Sequence, residues 1–183
     1  MFDPQGWYLK ARHCPSSHCN ERPQKIPANL LVIHNISLPA GQFGQPHIEA
    51  LFSGTLDCAC HPDFESLREL KVSSHFVIYR DGSIVQHVPI GERAWHAGKS
   101  VFQGRENCND FSIGIEMEGT DYQPYESDQY NSLVALTQAI MSVCPDISLG
   151  RIVGHCDIAP GRKTDPGPAF DWQRYRAALR ELK

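Results

Sequence analysis

No apolar run in this chain approaches the roughly 20 residues that a membrane-spanning helix needs, so no membrane partner is expected. An excess of one charge is missing as well. Seventeen Lys and Arg against 21 Asp and Glu leave a formal net charge of −4. The densest basic stretch is the short run from Arg174 to Lys183. Such a balance gives no electrostatic footing for nucleic acid or an anionic surface. Residues Met1 to Cys14 contain neither a basic n-region nor an apolar h-region of the secretory kind, with Asp3, Gln5, Lys10, Arg12 and His13 interrupting the apolar residues. The seven cysteines are an odd set without paired spacings, which fits free thiols in a reducing compartment. A cytoplasmic protein, and a monomer, is therefore expected. Repeats, low-complexity tracts and composition breaks are also lacking, so residues 1–183 read as a single domain.

What the chain does contain is a legible series of strands and helices. Asn29-Leu-Leu-Val-Ile-His34 is short and almost wholly apolar, as a buried central strand should be. Ser74 to Tyr79 and Ser83 to Val88 flank Arg80-Asp-Gly82, a hairpin signal. Phe111 to Glu118 alternates, with Phe111, Ile113, Ile115 and Met117 on one face and Ser112, Gly114, Glu116 and Glu118 on the other. Arg151 to His155 is a further short strand. A helix is predicted over 127–143, capped by Ser127, with Tyr130, Leu133, Val134, Thr137, Ile140 and Met141 inward. Asp171 caps a last helix that turns Trp172, Tyr175, Ala178, Leu179 and Leu182 inward, and a short helix lies near 63–71. The order β, α, ββ, β, α, β, α predicts an α/β domain, a mixed central sheet flanked by helices.

Reactive groups in open sheets collect beyond the carboxyl ends of strands. His34 and His155 each end an apolar strand, Glu116 lies near the end of another, and a Pro/Gly-rich loop follows His155. A His, His, Asp set suits catalytic zinc, which takes three protein ligands and leaves one position open. Spacing alone does not select that set. His75, His87 and His96 also sit on or near strands, and two rival clusters exist: His61 with Cys58 and Cys60, and His13 with Cys14, His18 and Cys19.

Four stretches narrow the choice: Val32-Ile-His-Asn35, Arg93-Ala-Trp-His-Ala-Gly98, Asn109-Asp-Phe-Ser-Ile-Gly-Ile-Glu116 and Gly154-His-Cys-Asp-Ile-Ala-Pro-Gly-Arg-Lys-Thr-Asp-Pro-Gly167. Together they resemble the amidase_2 family of N-acetylmuramoyl-L-alanine amidases, whose fold is shared with the peptidoglycan recognition proteins. The resemblance runs from about Gly6 to Trp172.

That resemblance implies a zinc ion on His34, His155 and Asp165, with Glu116 managing the proton of the attacking water and Lys163 stabilising the oxyanion. It implies substrate contacts from Asn35, Trp95, Arg105 and Ala159. Lys71 stands where the family has an arginine for the stem-peptide carboxylates, and Asn107 where a relative has a basic residue. A lysine offers a point charge in place of a bidentate fork, so carboxylate recognition differs in geometry there. The implied substrate is an anhydro-muropeptide, cut between N-acetylmuramic acid and L-alanine during cell-wall recycling, a process tied to β-lactamase induction. Two alternatives are an amidase acting on polymeric peptidoglycan and a module that binds peptidoglycan without cutting it.

Overall fold

A computed structural model describes residues 1–181. Its strands are β1 (Arg12–His13), β2 (Cys19–Glu21), β3 (Leu30–Ile36), β4 (Phe76–Ile78), β5 (Ile84–Gln86), β6 (Glu92–Ala94), β7 (Val101–Phe102), β8 (Arg105–Glu106), β9 (Ser112–Glu118) and β10 (Ile152–Gly154). Six of them form the central sheet in the order β1-β5-β4-β9-β3-β10, and two ribbons, β2 with β6 and β7 with β8, lie outside it. All pairs in the central sheet are parallel except the β4–β5 hairpin. The helices are α1 (His47–Ser53), α2 (Ser127–Val143), α3 (His155–Ile158) and α4 (Trp172–Glu181). The sheet is thus mixed and helix-covered, as the sequence predicts.

Parallel strands buried on both faces lose the polar alternation of exposed sheets, and β3 shows why. Leu31 and Ile33 join Ile113, Ile115 and Met117 of β9 in a core closed by Leu133, Leu136 and Ile140 of α2 and by Tyr175 and Leu179 of α4. Leu30 and Val32 point to the opposite face, into a smaller cluster with Ala97, Cys108, Phe111 and Ile158. A third cluster packs Ile48, Leu51 and Phe52 of α1 on Val77. The face away from α2 and α4 is therefore apolar at both flanks, and its polar middle holds the even-numbered residues at the ends of β3 and β9.

Several expectations need correction. Phe111 does not share the face of Ile113: the chain turns there (φ −136°, ψ 13°), ahead of β9, and the ring joins the opposite cluster. Ser127 is the first residue of α2 and not its cap, because Glu126 precedes it in extended conformation and donates its N–H to Gln129 Oε1 (3.1 Å). Neither His34 nor His155 ends a strand: β3 runs on past His34 to Ile36, and His155 opens α3. The helix near 63–71 is a 3-10 turn, Pro62–Leu67. Helix α1 was not anticipated from the sequence. Leu182 lies outside the described residues, whereas Asp171 does cap α4, its Oδ1 accepting from Arg174 N at 2.8 Å.

Candidate metal centre and active site

The parallel pairing of β3 and β9 puts His34 beside Glu116 in register, on one face and about 5 Å apart along the sheet. On the other side of β3, β10 delivers the chain to His155, the first residue of α3. The loop after α3 folds back so that Asp165 joins both histidines. His34 Nδ1 lies 2.9 Å from His155 Nδ1, and Asp165 Oδ2 lies 3.0 Å from each. His34 is 1% exposed and His155 3%.

Two imidazole nitrogens and a carboxylate oxygen converge within 2.9–3.0 Å of one another, and each can offer a lone pair. Such a convergence fits a cation. Tetrahedral zinc with ligand bonds near 2 Å sets neighbouring donors about 3.3 Å apart, close to what this triangle provides. Burial lowers the His34 pKa to about 4, helped by His155 and Lys163 and opposed by Asp165, so the ring is neutral, the form that binds metals. Burial works to raise the Asp165 pKa. Hydrogen bonds with His155 and His34 outweigh it and hold the carboxylate well below its usual range. Among the described residues this is the one group of three or more His, Cys, Asp or Glu whose ligand atoms converge in this way. The rival clusters around His13 and His61 do not assemble.

Glu116 and Glu118, which alternation leaves on one face, are separated by their partners. Glu118 Oε1 accepts from Gly44 N (2.6 Å) and its Oε2 from Arg80 N (3.1 Å), so both oxygens hold loops in place. Glu116 is 8% exposed, and its Oε2 has no hydrogen-bond partner among the described residues. Burial first, and Asp165 second, raise its pKa well above the ordinary carboxylate value, with Lys163 opposing. Lys163 is exposed, on the loop between α3 and Asp165.

The remaining residues singled out from the sequence are spread around this centre. Asn35, next to His34, donates to Asp121 Oδ1 (2.8 Å) and Pro166 O (3.1 Å), tying down the loop that carries Asp165. The Ala159 carbonyl accepts from the N–H groups of Arg162 and Lys163 (3.1 and 3.0 Å) and turns the chain toward that loop. Trp95 stacks on His18 (centroids 6.0 Å, 11°) and donates Nε1–H to Asn20. Lys71 is exposed and lines a 160 Å³ cavity that His18 also lines. Arg105 lies over Phe111, 3.9 Å from the ring centre. Asn107 has a left-handed backbone (φ 58°) ahead of a 3-10 turn.

Of the histidines that the sequence leaves open, His75 is fully engaged: Nδ1 accepts from Gly114 N, and Nε2 faces Glu92 O. His87 lies against Cys14 O. His96 abuts His34, with its Nδ1 2.9 Å from His34 Nε2. Asp121 escaped the sequence reading because no local pattern marks a carboxylate that binds Asn35 from 86 residues away.

Known proteins share the sequence and the fold. A family model described as N-acetylmuramoyl-L-alanine amidase matches residues 24–168. The 1,6-anhydro-N-acetylmuramyl-L-alanine amidase AmpD of Escherichia coli is 58% identical over 179 residues, 98% of this chain and 97% of its own. The crystal structure of a selenomethionine AmpD derivative superposes with a TM-score of 0.95 at 55% identity, covering 98% of this chain and 99% of that one. The amidase AmiD of E. coli, in complex with the substrate anhydro-N-acetylmuramic acid-L-Ala-D-γ-Glu-L-Lys, gives a TM-score of 0.61 at 32% identity over 86% of this chain and 58% of that one. With the family model spanning β3, β9 and the loop to Asp165, the chain belongs to the N-acetylmuramoyl-L-alanine amidase family, Amidase_2.

Proposed function

We propose that this chain hydrolyses the amide between the lactyl carbonyl of 1,6-anhydro-N-acetylmuramic acid and L-alanine in soluble muropeptides, with zinc held by His34, His155 and Asp165. The observation that carries this reading is the triangle of His34 Nδ1, His155 Nδ1 and Asp165 Oδ2 at 2.9–3.0 Å, beside a buried carboxyl group with an unpartnered oxygen. Near full-length similarity to AmpD supports the substrate. A cytoplasmic place in cell-wall recycling belongs to the same reading. Among the described residues, no helix is long and apolar enough to cross a membrane.

Zinc, when bound, supplies Lewis acidity that polarises the scissile carbonyl and acidifies water. The protein's own groups do the rest. Glu116, whose buried carboxyl keeps Oε2 free of any hydrogen-bond partner among the described residues, accepts the proton of the attacking water at Oε2 and passes it to the departing alanine nitrogen. Lys163 places its ammonium against the negative charge that develops on the carbonyl oxygen. Asn35 keeps the Asp165 loop in position through Pro166 and Asp121.

Mass spectrometry of products tests the reading. Purified protein is incubated with anhydro-muropeptide or with intact sacculi, with and without a chelator. Release of the L-alanyl peptide from the soluble substrate, abolished by chelation and restored by zinc, is expected. No release from folded, zinc-loaded protein moves the reading to a binding module, and release from sacculi alone moves it to a polymer-cutting amidase.

A further inference from the structure

The stretch Arg93 to Gly98 and the residue Asn109 carry no role in the chemistry above, yet both lie against the metal centre. If His34 and His155 present Nδ1 lone pairs to a metal, each ring holds its proton on Nε2. His34 Nε2 is 2.9 Å from His96 Nδ1, and His155 Nε2 is 3.1 Å from Ala97 O. Two consecutive residues thus meet the outward nitrogens of both histidines, one through a side chain and one through a backbone carbonyl. His96 in turn has its own Nε2 3.1 Å from Ser112 Oγ. The proton positions along this chain agree with one another: each Nε2–H donates, and each Nδ1 is left as an acceptor or ligand.

The dipeptide is itself clamped. Asn109 Oδ1 accepts from both His96 N (3.0 Å) and Ala97 N (2.8 Å). Buried Arg22 donates to the carbonyls of Asn109 (3.1 Å) and Ser112 (2.9 Å), holding the segment that carries Asn109. Gly114 supplies the seat. A Cβ there would stand 2.6 Å from His96 Cγ and 2.7 Å from its Nδ1, so the ring lies where only a glycine in β9 leaves room. Arg162 donates to Ala97 O and Lys99 O (2.6 and 2.7 Å), holding the carbonyl from the other side.

We propose that His96 and Ala97 are positioning residues that fix the tautomer and orientation of both histidine ligands, with Asn109 and Gly114 setting the dipeptide in place. The proposal rests on the metal reading above. Partners of this kind affect metal affinity by about 10- to 100-fold in other proteins.

The test compares zinc affinity, by competition with a chromophoric chelator, in the wild type, His96→Phe and His96→Asn. Phenylalanine fills the seat over Gly114 but accepts no proton from His34. Asparagine places an oxygen near the Nδ1 position. The expected order is a loss of about tenfold or more for His96→Phe and no more than about threefold for His96→Asn. A ring that only fills space predicts the reverse: His96→Phe keeps its zinc, and the smaller His96→Asn melts earlier. That reversed order overturns the proposal. A second readout needs no variant. In zinc-loaded wild type, ¹⁵N-resolved spectra of the imidazoles should show the His34 and His155 protons on Nε2, and a proton on Nδ1 of either ring overturns the proposal. A wild type that binds no zinc overturns the metal reading and this one with it, an outcome distinct from zinc bound with the wrong tautomer.

Discussion

His34 and Glu116 are register partners on the adjacent parallel strands β3 and β9, so the sheet itself, and no loop, sets the distance between the proposed metal ligand and the proposed proton carrier. This rigidity separates binding from chemistry. Glu116→Gln keeps the shape and removes the titrating oxygen, so zinc affinity is expected to change by less than about threefold while kcat falls by a hundredfold or more. Chelator competition and product release measured on the same preparation check this. A parallel loss of zinc places Glu116 among the ligands instead.

Much of this arrangement was legible in the chain, and the parts that were not have physical reasons. The apolar runs leading to His34 and His155 mark β3 and β10 because a sheet covered on both faces needs such runs. Asp165, ten residues beyond His155, sits on a loop without periodicity, so only the resemblance in Lys-Thr-Asp-Pro singled it out. Glu116 and Glu118 share a face, and what separates them arrives from Gly44 and Arg80, whose positions are tertiary facts. Helix α1 spans seven residues directly after a Pro/Gly-rich stretch, too short for a periodic signal. Gln129 is buried on α2 although polar, because its side chain donates to the carbonyls of Ile78 and Glu118.

Asp165 Oδ2 lies 3.0 Å from Nδ1 of both His34 and His155. Replacing the residue with alanine leaves two imidazole nitrogens facing each other with no carboxylate between them and the cation. Asp165→Ala is expected to weaken zinc by more than the roughly 100-fold upper range for a supporting hydrogen bond, and to abolish amide hydrolysis. Calorimetric zinc titration checks it, and affinity within tenfold of wild type removes Asp165 from the ligand set.

Gly167 holds the same loop by what it lacks. Its φ is +78°, and a Cβ there would lie 2.2 Å from Asp121 Cα, a backbone atom that cannot swing aside. Gly161 has a similar φ of +75° with open space around it. Both alanine variants carry the left-handed strain, of order 1 kcal/mol or more, but only Gly167→Ala adds the clash. Gly161→Ala should lower the Tm by a few degrees, with Gly167→Ala lower still and weaker in zinc, since Asp165 is two residues away. Equal melting temperatures for the two variants contradict this account of the loop.

A stability prediction comes from His87, remote from the metal centre. The ring is 1% exposed, lies edge-on to Phe52 and places Nδ1 2.7 Å from Cys14 O. Burial lowers its pKa from 6.5 to about 4, partly offset by the Cys14 carbonyl. Below pH 6.5 the unfolded chain therefore takes up a proton that the folded protein refuses. The stabilising contribution is complete above pH 6.5 and is lost as the pH falls toward 4. A tenfold change in proton affinity corresponds to about 1.4 kcal/mol, so the loss across this window is on the order of 3 kcal/mol. His87→Asn keeps a donor for the Cys14 carbonyl and removes the titration. In zinc-free buffer, urea unfolding at pH 7 and pH 4.5 should show a smaller drop for His87→Asn than for wild type, by about 2 kcal/mol. His75, buried and neutral in the same way, titrates equally in both proteins and cancels from the comparison. An identical drop in the two means that the imidazole takes its proton without unfolding, and that the apolar surroundings of Phe52 do not keep it neutral.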